Sequence, residues 1–239
     1  VGHAFLCSLI GICALAAAEP VLAQEPAEED KAALSGGFDF IEVRAGKGDE
    51  IFLWDGSFSY GDSTDQLMLM VEGGGAVGNR IDDVQARLLY GRSISDNVVL
   101  LAGVRHDFQP HPHDSYAMVG VQGSIGSRVS WEGYAFLSDD GLVTGDAQVI
   151  YQLPITDKIY IEPRAAIAWS AQRVEADGVG AGFTDAEASV RLRFRLNDKI
   201  NAFVGVAHER LLSDSRELAR AQGETLQSTM AVAGFGFSL

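Results

Sequence analysis

From Phe38 onward the chain repeats one pattern, in which apolar positions alternate with polar or small ones over segments of about ten residues. Twelve such segments lie near 38–45, 50–60, 64–72, 83–92, 98–106, 115–125, 129–138, 143–153, 158–169, 184–196, 199–210 and 226–239. Alternation with a period of two puts successive side chains on opposite faces of a strand, so the pattern predicts a β protein. The connections alternate as well. Those after even-numbered segments are short (61–63, 93–97, 126–128, 154–157, 197–198), whereas 73–82, 107–114, 170–183 and 211–225 are longer. Short turns at one end and long loops at the other are the habit of membrane barrels, with the short turns in the periplasm, so both termini are expected there.

The polar face decides between a soluble and a membrane barrel. In the segment 184–196, Val190, Leu192, Phe194 and Leu196 share one face, and Glu187, Ser189, Arg191, Arg193 and Arg195 share the other. Facing lipid, each arginine would cost roughly 2–4 kcal/mol at the bilayer midplane, so the arginines belong inside and the apolar face outside. The same phase puts Glu162 and Arg164 inside, with Arg105 and Asp107, while Trp54, Tyr60, Tyr90, Trp131, Tyr151 and Trp169 fall near segment ends as interfacial girdles. Pro163 removes a ladder donor, and a bulge is expected there. The reading is all-β: a transmembrane antiparallel β-barrel of about twelve strands over residues 38–239.

Ahead of it, residues 5–18 form a short apolar run that ends in Val21-Leu22-Ala23, the form of a signal peptide cleaved after Ala23. Residues 24–37 are acidic and poor in large apolar side chains, a short disordered tether. Both cysteines, Cys7 and Cys13, lie in the leader, so the remainder has no disulfide or thiolate site. A net charge of -15 offers no basic face for nucleic acid.

Candidate chemistry is sparse. The stretch Gly103 to Asp114 gathers His106, His111 and His113 with two aspartates, nitrogen and oxygen donors that suit copper(II), nickel or zinc. In the segment 64–72, Leu67, Leu69 and Val71 fit the lipid face, which assigns Met68, Met70 and Glu72 to the lumen; thioethers are soft donors for copper(I). His113 and Ser115 have a spacing that a membrane hydrolase could use, although no orienting partner or oxyanion loop accompanies them, and no enzyme activity is expected.

Several stretches together resemble one family. LWDGSFSYGD at 53–62, DVQARLLYGRSIS at 83–95, GVRHDF at 103–108, YQLPITDKIYIEPR at 151–164, GAGFTDAEASVRLRFRL at 180–196 and FVGVAHERLLSDSRELARAQGE at 203–224 are similar to copper resistance protein B of the bacterial outer membrane. The resemblance implies a Gram-negative outer-membrane protein that binds copper or assists its removal from the periplasm, with copper as its ligand. Its partners would then be copper ions, outer-membrane lipid and a periplasmic copper-binding protein. A general solute pore with a charged lumen is the alternative.

Overall fold

The computed structural model describes residues 31–78, 81–110 and 114–239. The expected signal peptide and residues 24–30 of the expected tether lie outside the described residues, as do His111 and His113.

Twelve long strands follow one another: β1 (Ala33–Ala45), β2 (Ile51–Gly61), β3 (Asp65–Ala76), β4 (Asp83–Ser95), β5 (Val98–Gln109), β6 (Asp114–Ile125), β7 (Val129–Ser138), β8 (Val143–Tyr151), β9 (Ile159–Ser170), β10 (Gly182–Arg195), β11 (Ile200–Leu211) and β12 (Gln227–Ser238). Each pairs antiparallel with its neighbours in sequence, and β12 pairs with β1, so the sheet closes and no long strand keeps a free edge. Strand β1 begins at Ala33, inside the segment expected as tether, where residues 33–37 pair with β2. The connections after β9 and β11 are the most elaborate. The first holds a single 3-10 turn (Glu175–Asp177) and the second the helix α1 (Ser213–Gln222). Ser215 Oγ accepts the Gly180 N–H at 2.8 Å and ties the two connections together.

The sheet is apolar outside and charged inside. Leu67, Leu69, Leu88, Leu100, Val104, Val119, Val190, Val204, Val206 and Phe235 are all exposed on the outer surface, while Glu42, Arg44, Arg87, Glu162, Arg191 and Arg193 are almost wholly buried within. A soluble barrel would reverse this arrangement, so the outer face is the one that meets hydrocarbon. Each of the three tryptophans lies over the glycine directly opposite on the next strand: Trp54 over Gly73, Trp131 over Gly123 and Trp169 over Gly145. A Cβ on Gly145 would come within 2.5 Å of the Trp169 ring, so the indole occupies the space that only glycine leaves.

Two details depart from expectation. At Pro163 there is no bulge. The β8–β9 ladder is interrupted, but Ile161↔Leu153 on one side of the gap and Arg164↔Ile150 on the other keep one register, so the missing donor costs ladder bonds without slipping the strand. An irregularity that re-aims side chains sits in β1, where the register shifts between Phe38 and Ile41 against β12 and between Phe38 and Phe40 against β2. An extra residue there turns Asp39 inward next to Phe40, and Phe38 outward against Phe58 and Phe237.

Candidate functional site in the lumen

Inward-facing residues divide the lumen into two sides. On the side of β9–β12 and β1, arginines and carboxylates interlock. Arg44 reaches Glu42 at 2.7 Å, Glu187 at 2.7 Å and Glu209 at 2.5 Å; Arg191 holds the other oxygen of Glu42 at 2.8 Å. Arg164 and Arg193 converge on Asp39, at 2.6 and 3.1 Å, and on Glu162, at 2.5 and 2.9 Å. The guanidinium groups of Arg191 and Arg193 also stack on Phe203, 5.2 and 4.8 Å from the ring centre. Glu162 is shared by Arg164 and Arg193, whereas Glu209 belongs to Arg44. Arg195, at the barrel rim, is exposed and donates to the Asp157 carbonyl at 3.3 Å.

The side formed by β2–β8 is built differently. Met68, Met70 and Met118 pack there with Leu89, Leu101, Tyr134 and Phe136 in one buried cluster, each methionine no more than 4% exposed. The strand period explains the convergence: Met68 and Met70 are two residues apart on one face of β3, and Met118 occupies the inward phase of β6. The Tyr134 hydroxyl donates to Glu132 Oε2 at 3.1 Å, and its oxygen lies 3.9 Å from Met70 Sδ, a contact that crosses the lumen from β7 to β3. Gln148 Nε2 donates to the other Glu132 oxygen at 2.5 Å. Arg87 spans from β4 to β8, binding Glu72 at 2.6 Å, lying 3.8 Å from Asp146, and stacking over Tyr134 and Phe136.

A cavity of about 150 Å³ opens at the short-turn end of this side, lined by Asp96, Asn97, Val99, Gln122, Ser130, Glu132, Gln148 and Ile150 among others. Glu132 is shared between the cavity wall and the bond to Tyr134, whose hydroxyl in turn touches Met70 of the thioether cluster.

The sequence-predicted donors are therefore separated. Met68 and Met70 are together in the lumen, where Met118 joins them; the phase of β6, with Tyr116, Met118 and Gly120 on one face, is the signal that could have found it. His106 stands in the opposite phase from Arg105 and Asp107, with its Nδ1 2.8 Å from Ser115 Oγ and its ring 4.6 Å from Phe108, so it does not meet the methionines. Among the described residues no group of three or more His, Cys, Asp and Glu side chains is arranged to hold a metal. Outside the membrane-spanning strands, Asp62 accepts the N–H groups of Thr64 and Asp65 at 2.8 Å each, and these bonds hold its carboxyl below the usual carboxylate range.

The family model of copper resistance protein B precursors matches residues 33–238. The chain belongs to the copper resistance protein B family. A copper resistance protein B homolog of Pseudomonas syringae pv. tomato is 27% identical over 181 residues, covering 76% of this chain and 61% of the relative. Copper resistance protein B of Escherichia coli is 28% identical over 183 residues, covering 77% and 62%. The chain thus aligns with about three fifths of the length of these family members. Among solved structures, the NanC porin superposes with a TM-score of 0.54 at 12% identity, covering 87% of this chain and all of that one. The KdgM porin follows with a TM-score of 0.50 at 10% identity, covering 87% and 99%. These likenesses bear on the fold alone.

Proposed function

We propose that this barrel serves copper resistance in the outer membrane, taking copper ions as cargo into the lumen and either holding them or assisting their removal from the periplasm. The observation that carries this reading is the buried convergence of Met68, Met70 and Met118 behind the Glu132 mouth. Thioethers bind copper(I) and take little interest in magnesium or calcium, so a lumen that presents three of them favours a soft cation. Carboxylate and amide oxygens at the mouth attract any cation and are labile enough to pass it on. The short-turn end, with both termini, would face the periplasm, where a copper-binding protein could deliver the ion. No catalytic role is assigned to the barrel.

The decisive experiment is growth of a deletion strain in graded copper, with and without the restored gene. Restored tolerance supports the reading; growth indistinguishable from the deletion strain at every concentration rejects it. The protein should fractionate with outer membranes and run with heat-dependent mobility on gels, because a closed barrel resists cold detergent.

A second reading, a general solute pore, draws on the likeness to the NanC and KdgM porins and on the charged lumen. Contacts that span the lumen, Arg87 to Asp146 and Tyr134 to Met70, favour the narrower role. Ohmic conductance of small salt ions in planar bilayers would reverse that preference.

A further inference from the structure

Three inward side chains on neighbouring strands form a patch of their own beside the thioether cluster. Asp55 of β2 stands directly opposite Glu72 of β3, and Glu72 directly opposite Gln85 of β4. All three are buried, at 3%, 5% and 1% exposure. Directly opposed positions bring Cβ atoms to about 5 Å, so the three polar ends can meet on one patch of lumen wall.

On that patch two carboxylates face one guanidinium, that of Arg87, whose Nε and Nη1 also lack hydrogen-bond partners among the described residues. Arg87 satisfies Glu72 Oε1, but Glu72 Oε2 has no hydrogen-bond partner among the described residues. Arg87 is the guanidinium that pairs with Glu72, and Asp55 is in no ion pair of its own among the described residues. Like charges placed opposite each other on adjacent strands destabilise a sheet. The second observation is independent of charge. Gln85 is wholly enclosed, yet neither Oε1 nor Nε2 has a partner among the described residues. Buried amides are almost always satisfied, and one left open beside an open carboxylate oxygen points to a third body that accepts coordination from oxygens.

We propose that Asp55, Glu72 and Gln85 form a binding site for a divalent cation of the oxygen-preferring class, with water completing its shell. Two carboxylates and an amide carbonyl are the donor set of calcium, magnesium or manganese. The site lies next to the thioether cluster, Met70 being two residues from Glu72 on the same face of β3, but shares no donor with it. A search restricted to His, Cys, Asp and Glu passes over it because the third ligand is an amide. The proposal goes beyond the copper reading and does not depend on it.

The test uses the full chain purified in detergent and titrated with Mn²⁺ alone, the free ion being followed by its electron paramagnetic resonance signal. One Mn²⁺ should be taken up per barrel and released by excess Ca²⁺. Asp55→Asn, nearly isosteric, and Gln85→Leu, which removes only the amide, should each weaken uptake at least tenfold, while Asp140→Asn in the exposed connection after β7 should leave it unchanged. Heat-dependent gel mobility establishes that each variant has assembled; should one fail to assemble, the other and the Ca²⁺ displacement decide. Absence of stoichiometric uptake by the wild type would overturn the site and would imply that Asp55 and Glu72 share a proton. Equal uptake by wild type, Asp55→Asn and Gln85→Leu would also overturn it, by placing the ion elsewhere. Neither outcome touches copper tolerance, which is measured separately.

Discussion

The two sides of the lumen solve the same problem in opposite ways. Between β9 and β1, every buried arginine is clamped to acids: Asp39 joins Arg164 to Arg193, and Glu42 joins Arg44 to Arg191. Between β2 and β8, Arg87 and Arg105 are the inward cations among Asp55, Glu72, Asp107, Glu132 and Asp146, and Arg105 is already held by Asp107 through two bonds of 2.6 and 2.7 Å. The first side is a brace, with its charges consumed internally. The second carries surplus negative charge and thioethers, which are the properties of a surface that attracts a soft cation. A barrel that must stay shut to most solutes and still handle an ion can divide the two duties around its circumference.

The largest effect that would break this contrast is on the braced side. Arg193→Leu leaves Asp39 and Glu162 to share Arg164 alone, and removing one member of a buried ionic network costs about 3–5 kcal/mol. Assembled barrel, scored by heat-dependent mobility, should fall severely, whereas Lys47→Leu in the exposed connection between β1 and β2 should assemble as the wild type does. Equal yields for the two would mean that the arginine network is ornamental.

A smaller loss is expected from Arg87→Met on the open side. Methionine retains the apolar contact with Tyr134 and Phe136, and the abandoned Glu72 and Asp146 sit where an added cation can take the place of the guanidinium. Millimolar Mn²⁺ or Ca²⁺ during assembly should therefore recover Arg87→Met and do nothing for Arg193→Leu. Recovery of both, or of neither, would erase the distinction between the sides.

The strand count, the closure, the inward phase of the arginines and the lumen placement of Met68 and Met70 are all legible in the chain, because a period of two and the cost of a charge in hydrocarbon leave little choice. What escapes is whatever depends on register between distant strands. Asp39 has the outward phase by simple alternation and becomes the joint of Arg164 and Arg193 only through the bulge in β1. Glu209 looks like a partner for the arginines of β10 and goes to Arg44 instead, because β1 closes the barrel beside β12 and brings residues far apart in sequence together. Tyr134 and Gln85 carry no motif at all; their roles come from facing Met70 across the lumen and Glu72 across the ladder. His106 has the strand phase opposite to the inward-facing Arg105 and Asp107, so it stands apart from the thioethers, a separation that follows from the phase of β5 and not from the His-rich composition of the stretch.

The smallest structural effect, and the sharpest functional one, should come from Met68→Leu with Met70→Leu. Both side chains are buried among Leu89, Leu101 and Phe136, and leucine matches methionine closely enough in volume that such swaps usually cost under about 1.5 kcal/mol each. The outward face is untouched, the arginine brace lies across the barrel, and no charge changes. Assembly and heat-dependent mobility should thus stay near the wild type. Copper handling should not: two of the three clustered soft donors are gone, and Met118 alone offers a copper(I) ion one thioether and no partner sulfur. In a deletion strain carrying the double variant, the copper concentration that halves growth should fall toward that of the strain with no barrel. Tolerance equal to the wild type, with normal assembly, would make the methionines mere packing and move the search for copper ligands to the histidines between Gly103 and Asp114.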